Sequence, residues 1–312
     1  MKFSIAAHAE SYGKHRFSNN EILNKLAKEV EVSDDLTFVW WVEKMFLSPK
    51  YEEITRQMME KPWFGVMHVP LLTPNWAMYS QNNLSKMYFM REWRMALKNC
   101  RGIITLSDHM RKQVKAIYPE LDVFSLKHPM PGTVKRFDLE SYINDPKLLL
   151  VGAWLRDFSK FVSLDTNIRK HIVINHYARD FIEQRYKKYQ PNILKDVLSH
   201  DHVGFLDNQD YDDLICSSVL YLSLHETSAN NAICECVQYS VPFVARRHPA
   251  IEEYAGEEYP LFVEDDTFLD ISVDQVIEAH KYLEARNDLK KDLDISSFID
   301  GIRVIYSRME HN

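Results

Sequence analysis

One stretch of the sequence, residues 222–254, carries the polar residues best suited to binding an anion. An apolar run of β-forming residues ends there in a polar turn, and a helix with an apolar stripe begins after the turn. The backbone N–H groups and the positive dipole end of such a helix converge on one point, which favours phosphate. The turn and the start of the helix contain Glu226, Thr227, Ser228, Asn230 and Asn231.

A carboxylate, Glu235, lies inside the same helix among apolar neighbours. Because a carboxylate accepts hydrogen bonds, its functional interpretation is contact with sugar hydroxyl groups. The alternative is a helix glutamate that is partly solvated. For Asn230 and Asn231, two interpretations stay open: phosphate binding through their backbone N–H groups and simple capping of the helix.

This stretch resembles the donor-binding segment of GT-B-fold glycosyltransferases, and in particular a divergent branch of the retaining family numbered 4. Glu235 corresponds to the helical glutamate of that segment, and Ser240 and Pro242 follow at the offsets found in the family. Thr227 stands at the position of the family's first glutamate, while Glu226 lies one residue earlier. The resemblance implies a nucleotide-sugar donor.

Basic residues follow a second apolar strand, which ends at Gly152. In the family an arginine and a lysine at this place bind the donor diphosphate, and the resemblance implies that role for Arg156 and Lys160. Cations there offset the negative charge that develops on the departing diphosphate. The alternative for both is a solvated surface charge. Glu252 or Glu253 is a candidate for contact with the nucleotide ribose or base, although glutamates in a short helix are mostly solvated.

Three histidines lie at or just after the ends of predicted strands in the first half of the chain: His8, His68 and His128. His68 is the preferred contact for the transferred sugar or the acceptor. His8 is a candidate general base, as the histidine after the first strand is in some inverting GT-B enzymes, because imidazole titrates near neutral pH. A lone histidine is more often structural. Ser107 and Glu10 are weaker candidates.

Composition excludes several other classes of function. The formal net charge of −7 argues against a nucleic-acid groove. The eight glycines form neither a Gly-x-Gly-x-x-Gly nor a Gly-Lys-Ser/Thr loop, which excludes nicotinamide-type and P-loop sites in their familiar forms. The cysteines lack the spacing of a zinc site, so buried free thiols are expected. The first apolar run is too short for a signal peptide and no run reaches transmembrane length, which favours a cytoplasmic protein.

Two further patterns have a chemical and a structural interpretation. Asp210-Tyr211-Asp212 matches the metal-binding Asp-x-Asp of the other glycosyltransferase fold, but here it opens a helix, where aspartates act as caps, so no metal is expected. Residues 88–101 mix aromatic and basic side chains, which would suit peripheral contact with an anionic membrane that holds lipid-linked acceptors. A core-packed helix with a basic outer face is the preferred interpretation.

Strands and helices alternate along both halves of the chain, which predicts parallel sheets covered on both faces. We expect an α/β, GT-B-like fold: two Rossmann-like domains whose parallel sheets face a central cleft. In such sheets ligands bind beyond the carboxyl ends of the strands. The expected parts are an acceptor-side domain (1–127), a linker (128–146), a nucleotide-sugar-binding domain (147–295) and a C-terminal helix (296–312) that packs on the first domain.

The local pattern also predicts individual elements of the first domain. The pattern predicts a strand over residues 36–42 and one long helix over residues 83–99. It also predicts a helix over residues 107–118 that is capped by Ser107.

The sequence thus predicts a glycosyltransferase that moves a sugar from a nucleotide-diphosphate sugar to a glycan, lipid-linked or small-molecule acceptor. It is expected to need no metal or other cofactor, and the resemblance implies retention of anomeric configuration. Two alternatives stay open. One is a nucleotide-sugar epimerase or hydrolase that uses His8 and Glu226 as opposed acid–base groups, and the other is a non-catalytic GT-B-like binding protein. No motif specifies the sugar, the base or the oligomeric state.

Overall fold

A computed structural model of the chain describes residues 1–6, 19–74, 84–132, 135–174, 176–199, 202–203, 206–264 and 267–310. The chain divides into two compact units. Unit 1 comprises residues 1–132 and 291–312, and unit 2 comprises residues 133–290. Within the described ranges, no helix is both long enough and apolar enough to cross a membrane.

The strands, in chain order, are β1 (Ser4–Ile5), β2 (Thr37–Val39), β3 (Trp63–Met67), β4 (Cys100–Thr105), β5 (Val123–Ser125), β6 (Lys147–Val151), β7 (Asp165–Thr166), β8 (Arg169–Val173), β9 (His202–Val203), β10 (Val219–Leu222), β11 (Phe243–Arg246), β12 (Phe262–Val263) and β13 (Phe268–Leu269). The helices are α1 (Asn19–Ala27), α2 (Val42–Leu47), α3 (Glu52–Glu60), α4 (Leu84–Phe89), α5 (Arg91–Leu97), α6 (Asp108–Ile117), α7 (Leu139–Asn144), α8 (Phe158–Ser163), α9 (His176–Tyr189), α10 (Pro191–Ser199), α11 (Asn208–Cys216), α12 (Asn231–Tyr239), α13 (Pro249–Ala255), α14 (Val273–Ala285), α15 (Asn287–Asp292) and α16 (Ile295–Glu310).

Unit 1 is built on a parallel sheet in the order β1-β2-β3-β4-β5. Several aromatic side chains lie in its core. Phe3, Phe38 and Phe64 pack with ring centroids 4.9–5.9 Å apart. The last helix, α16, covers this core, with Tyr306 5.8 Å from Phe3 and Phe298 5.5 Å from Trp40. Burial of these rings removes apolar surface from water and stabilises this unit.

Unit 2 contains a parallel sheet in the order β12-β11-β10-β6-β8-β9, and β7 pairs separately with β13. From β6 the chain proceeds outward through β8 to β9. It then returns to the other side of β6 and continues outward from β10 through β11 to β12. The order of the strands therefore reverses between β6 and β10. In open α/β sheets such a switch point is where ligands bind, beyond the carboxyl ends of the strands.

The predicted strand over residues 36–42 was partly wrong, because β2 ends at Val39 and Val42 begins α2. A glycine in β3 makes this approach of α2 feasible. A Cβ atom at Gly65 would lie 2.5 Å from the carbonyl oxygen of Val39 and 2.8 Å from a methyl group of Val42. The helix can therefore pack closely on β3 only because position 65 has no side chain.

The predicted single helix over residues 83–99 was also wrong, because the chain is extended at Met90 and forms α4 and α5 instead. In one continuous helix of 3.6 residues per turn, the Leu84–Met87 pair and the Trp93–Ala96 pair would face roughly opposite sides. The break lets both pairs be buried. The preferred interpretation of a core-packed segment with a basic outer face is confirmed, since Arg91 and Arg94 are exposed.

Two other segments relate to the sequence predictions. The predicted helix capped by Ser107 is confirmed as α6, where the Ser107 hydroxyl accepts a hydrogen bond from Met110 N at 3.2 Å. The segment expected to be a linker contains α7, and Tyr142 on α7 is buried in unit 2. The two compact units meet in sequence after Gly132.

Candidate functional site

Two loops leave the neighbouring strands β6 and β10 at the switch point of unit 2. Backbone hydrogen bonds of 2.9 Å join these loops, from Asp157 N to Ser223 O and from His225 N to Leu155 O. The first loop begins at Gly152, whose φ of +78° is a conformation that residues with a side chain rarely adopt. The polar residues that follow both strands are thereby held together at one edge of the sheet.

Arg156 is the buried cation of this edge, with 7% of its surface exposed. Its Nε donates to Val151 O (2.9 Å), Nη1 to Trp154 O (3.3 Å) and Nη2 to Asn230 Oδ1 (3.0 Å). These contacts use three of the five N–H donors of a guanidinium. Burial lowers the pKa of Arg156 to about 10, against the opposing effects of Tyr211 and Glu235. The side chain therefore stays charged at neutral pH, and the surface interpretation of Arg156 is wrong.

The loop after β10 leads into the N-terminus of α12. Asn230 is the N-cap, and its Oδ1 accepts from Ala232 N at 2.9 Å as well as from Arg156. Thr227 and Ser223 are each 4% exposed, and neither hydroxyl has a hydrogen-bond partner within the part of the chain that the structure describes. Unpartnered buried hydroxyls cost free energy, so each requires an explanation. A ligand at the start of α12 would provide one.

Glu235 and Ser228 lie deeper in the same region. Glu235 is 2% exposed and Ser228 is fully buried. Glu235 Oε2 accepts from the hydroxyl of Tyr211 on α11 at 3.2 Å, and its charge interacts with that of Arg156. The partly solvated interpretation of Glu235 is therefore wrong. A buried carboxylate near a buried guanidinium reduces the cost of burying either charge.

The Asp-x-Asp sequence lies at the start of α11, as predicted. This helix begins at Asn208, and its N-cap is Asp207, whose Oδ1 accepts from Asp210 N at 2.9 Å. Acidic residues in a first helical turn interact favourably with the helix dipole. The helical context that the sequence predicted for this motif is confirmed.

A second buried arginine, Arg185 on α9, reaches the same edge and was not identified from the sequence. Its Nη1 donates to Arg156 O at 2.7 Å, and its Nη2 lies 2.9 Å from His225 Nε2. Because a guanidinium only donates, Nε2 of His225 accepts, so in the neutral ring the proton is on Nδ1. Burial lowers the pKa of His225; the charge of Asp157 opposes this effect, and those of Arg185 and Lys160 add to it.

Lys160 lies in the first turn of α8 and is half-buried. Asp157 caps this helix by accepting from Lys160 N at 3.3 Å. Since the charge of Lys160 affects the pKa of His225, the ammonium group lies within electrostatic range of the loop after β10. The structure thus brings Gly152, Arg156, Lys160 and Asn230 to one edge of the sheet.

Glu226 connects the loop after β10 to the start of α13. Its Oε1 accepts from Thr227 N at 2.9 Å and lies 2.8 Å from His248 Nε2. His248 is the N-cap of α13, where its Nδ1 accepts from Ala250 N at 3.2 Å. In the neutral ring Nε2 therefore carries the proton and donates to Glu226.

Glu252 and Glu253 lie on α13, and both are half-buried. Glu252 Oε1 accepts from Arg247 Nη1 at 2.9 Å. The remaining predicted residue of this unit, Asn231, is the first residue of α12, so its backbone N–H lies in the first turn of that helix.

The predicted residues of unit 1 have mixed outcomes. His8 and Glu10 lie outside the described residues. Ser107 is fully buried as the cap of α6. His128 is buried, and its Nδ1 lies 3.1 Å from Pro129 O. His68 follows β3 directly and is half-buried, in the position that the sequence predicted.

Comparisons with known proteins give likenesses in structure at low sequence identity. Sucrose-phosphate synthase from Thermosynechococcus elongatus matches with a TM-score of 0.58 at 11% identity, over 89% of this chain and 74% of that chain. HepE from Anabaena in complex with UDP matches with a TM-score of 0.57 at 13% identity, over 98% and 99%. The chain has the fold of GT-B glycosyltransferases.

A TarM variant from S. aureus, in complex with fondaparinux, alpha-GlcNAc-glycerol and UDP, also has this GT-B fold. It matches with a TM-score of 0.52 at 10% identity over 94% of this chain, which spans 59% of TarM. No family model matches the chain, and no curated protein matches it by sequence. The predicted α/β class with parallel sheets is confirmed, and at these identities the likeness shows the fold alone.

Proposed function

We propose that the chain is a glycosyltransferase that takes a sugar from a nucleotide-diphosphate sugar, with unit 2 binding the donor and unit 1 the acceptor. One observation carries the proposal. At the switch point between β6 and β10, the N-terminus of α12 and the buried Arg156 share the Asn230 side chain, beside the unpartnered buried hydroxyls of Ser223 and Thr227. A helix N-terminus with a nearby fixed cation is a site for an anion, and a diphosphate is doubly suited to it.

The diphosphate is proposed to bind beside Gly152, where the absence of a side chain lets an anion approach the backbone. The N–H groups of Asn230 and Asn231 and the cationic groups of Arg156 and Lys160 then face it. When the bond between the anomeric carbon and the diphosphate oxygen breaks, negative charge grows on that oxygen. Fixed cations and helix N–H groups stabilise the charge without reorganising, which is the main catalytic contribution expected here.

The other residues of unit 2 are proposed to shape this site. Glu235 compensates the charge of Arg156 and holds Tyr211, so its effect on the donor is exerted through both. Thr227 and Ser228 provide hydroxyls close to the start of α12. Glu252 is proposed to accept a hydrogen bond from the nucleotide ribose, in place of its contact with Arg247. Glu226 fixes the loop through His248.

On the acceptor side, His68 is proposed to contact the transferred sugar or the acceptor, and His8 remains a candidate base. The acceptor is proposed to be a glycan, a lipid-linked sugar or a small molecule. For a lipid-linked acceptor, the exposed Phe89 beside the exposed Arg91 and Arg94 would suit contact with an anionic membrane. The reaction is proposed to retain anomeric configuration and to need no metal.

A thermal-shift screen with nucleoside diphosphates and nucleotide sugars tests the donor site. A ligand that binds only the folded state stabilises it by mass action, so UDP or another nucleoside diphosphate should raise the Tm, and its sugar conjugates should do so as well. UDP is the first probe because HepE and TarM were solved with it. If no nucleoside diphosphate at millimolar concentration raises the Tm, the proposed donor site is wrong.

Transfer assays with the donor found in that screen test the finer proposals. Activity that is unchanged by EDTA supports a metal-independent reaction, and the anomeric coupling constant of the product distinguishes retention from inversion. Turnover of the donor without any acceptor, faster than with one, would instead favour the epimerase or hydrolase alternative.

A further inference from the structure

A buried carboxyl group holds the turn that carries His68. Glu43 on α2 is 1% exposed, and its Oε1 accepts hydrogen bonds from His68 N and Val69 N, both at 2.7 Å. Its Oε2 has no hydrogen-bond partner in the described parts of the chain. A single carboxyl oxygen therefore fixes two consecutive backbone amides directly after β3.

This arrangement is costly for a residue with a purely structural role. Burial raises the pKa of Glu43 to about 7, against the opposing effect of its hydrogen bonds to backbone amides. An apolar side chain of similar volume would fill the same space without the cost of desolvating a carboxyl group. The hydrogen bonds that offset this cost are directed at the His68–Val69 turn, which indicates that the turn is what the carboxyl group serves.

The imidazole of His68, which this turn carries, is also held in place. The ring stacks on Trp41, with centroids 4.7 Å apart and planes inclined by 26°, and its Nε2 lies 2.7 Å from Trp40 O. Because a carbonyl oxygen only accepts, Nε2 carries a proton, and in the neutral ring Nδ1 is the nitrogen with the lone pair. We call the two hydrogen bonds from the amides of His68 and Val69 to Glu43 the clamp. The clamp, the stacking on Trp41 and the contact with Trp40 O together define one orientation of the ring.

We propose that Glu43 is a positioning residue for His68, which acts through the backbone amides of His68 and Val69 and is sensitive to its own protonation. An ionised carboxylate forms shorter and stronger hydrogen bonds to N–H groups than a neutral carboxyl group does. The clamp therefore tightens as Glu43 loses its proton. The consequence for sugar transfer rests on the proposed function, whereas the clamp itself does not.

Several titratable and charged groups of the described residues lie near Glu43 or near the turn that it binds. Tyr88 on α4 is affected by the charge of Glu43, and its pKa is raised well above the usual value mainly by burial. His68 lies on the clamped turn, and the ring of His128 is 6.0 Å from that of His68. Lys44, the next residue on α2, places its ammonium over the rings of Trp41 and Tyr51.

NMR of the backbone amides tests the clamp without any substrate. With selective ¹⁵N-histidine and ¹⁵N-valine labelling, the His68 amide is identified by its loss in His68→Gln and the Val69 amide by its loss in Val69→Ile. In the wild type both amide protons should shift downfield between pH 6 and pH 8. Glu43→Gln keeps an oxygen acceptor but cannot ionise, so the shift should be lost at Val69 and reduced at His68, whose amide also responds to its own imidazole. Glu52→Gln, an exposed glutamate on α3, should behave as the wild type does.

Equal pH dependence of the two amides in Glu43→Gln and the wild type, or none in either, would overturn the clamp.

A second experiment measures the turnover of sugar transfer. Glu43→Leu should lower kcat for transfer by about 10- to 100-fold while the donor KM stays the same, because a small misplacement of a positioned group costs that much. If the amide shifts depend on Glu43 and pH but the protein has no transfer activity, only the proposed function is contradicted. If the protein transfers sugar but the amide shifts do not depend on Glu43, only the clamp is contradicted.

Discussion

The turns that follow β10 in unit 2 and β3 in unit 1 are held by different chemistry. In unit 2, two buried guanidinium groups bind backbone and side-chain oxygens: Arg156 reaches the cap of α12, and Arg185 reaches Arg156 O. In unit 1, one buried carboxyl oxygen binds two backbone N–H groups. The first arrangement keeps its charge at all moderate pH values, and the second changes charge near neutrality.

The difference corresponds to what each region is proposed to bind. A site for a diphosphate needs positive charge that does not vary, which arginine provides. A turn next to a reacting sugar needs orientation more than charge, and a buried carboxyl group provides it at a cost that depends on pH. Variants at four positions, Arg156, Glu43, Arg185 and Glu252, can contradict or refine this comparison.

Arg156→Ala should abolish the nucleotide-dependent rise in Tm and lower the free energy of unfolding by about 3 to 5 kcal/mol, because the buried carboxylate of Glu235 loses its compensating charge. Urea unfolding and the thermal-shift assay with UDP measure the two effects. Arg156→Lys retains a charge but cannot reach three acceptors at once, so it should recover part of the stability and little of the binding. Arg169→Ala, an exposed arginine on β8, is the control. Unchanged UDP binding in both Arg156 variants would contradict the proposed donor site.

Glu43→Gln should remove a pH dependence of stability. The folded-state pKa of Glu43, about 7, lies above the ordinary value of 4.5, so the folded state binds this proton more tightly than the unfolded state does. The contribution of Glu43 to the free energy of unfolding therefore falls as pH rises from about 4.5 to about 7. Relative to the variant, the free energy of unfolding of the wild type should fall by about 2 to 3 kcal/mol between pH 5 and pH 8. Urea unfolding measures both proteins at both pH values. If wild type and variant differ by the same free energy of unfolding at pH 5 and at pH 8, Glu43 does not titrate in this range.

Arg185→Met should weaken nucleotide binding by about tenfold, which corresponds to the loss of one charged hydrogen bond. The expected cause is that the loop after β6 loses its attachment to α9 and to His225. Isothermal titration with UDP measures the change. Arg179→Met, on an exposed position of the same helix, is the matched control. Equal affinity of the two variants would make Arg185 a structural residue only.

Glu252→Gln should have the smallest effect, a loss of about three- to fivefold in affinity for UDP, because a neutral amide replaces a charged acceptor at the ribose. Glu253→Gln on the same helix should leave the affinity unchanged. The affinity for a pyrophosphate without a nucleoside should be the same in both variants. If Glu253→Gln weakened UDP binding more than Glu252→Gln did, the ribose contact would be assigned to Glu253 instead.

The two regions were not equally predictable from sequence. Gly152 directly follows an apolar strand, and the resemblance to glycosyltransferase donor segments identified Arg156 in the loop beyond it. Asn230 lies in the polar turn between an apolar strand and a helix with an apolar stripe, a pattern that is visible in the sequence. Arg185 lies within a long helix that has no motif, and only the packing of α9 against the two loops reveals it. Glu43 was missed together with its helix, because Val42 continues an apolar run that resembles a strand.

The short helix α2 packs on β3 where Gly65 leaves room for it, and that is a relation between residues far apart in sequence. Similarly, the break at Met90 follows from the need to bury both Leu84–Met87 and Trp93–Ala96 against one core. Neither the packing of α2 on β3 nor the break at Met90 can be predicted from a short window of sequence. Local windows report periodicity, whereas these outcomes depend on which surfaces are available for burial.

By itself, the sequence determined the alternation of strands and helices, and hence the parallel sheets and the polar loops beyond their carboxyl ends. It did so because periodicity and capping act over a few neighbouring residues. Only the tertiary structure decided which buried polar groups meet: Arg156 with Asn230, Arg185 with His225, and Glu43 with the amides after β3. Those pairings depend on strand order and on helix packing, through which residues from distant segments share a low-dielectric interior where each must find a partner.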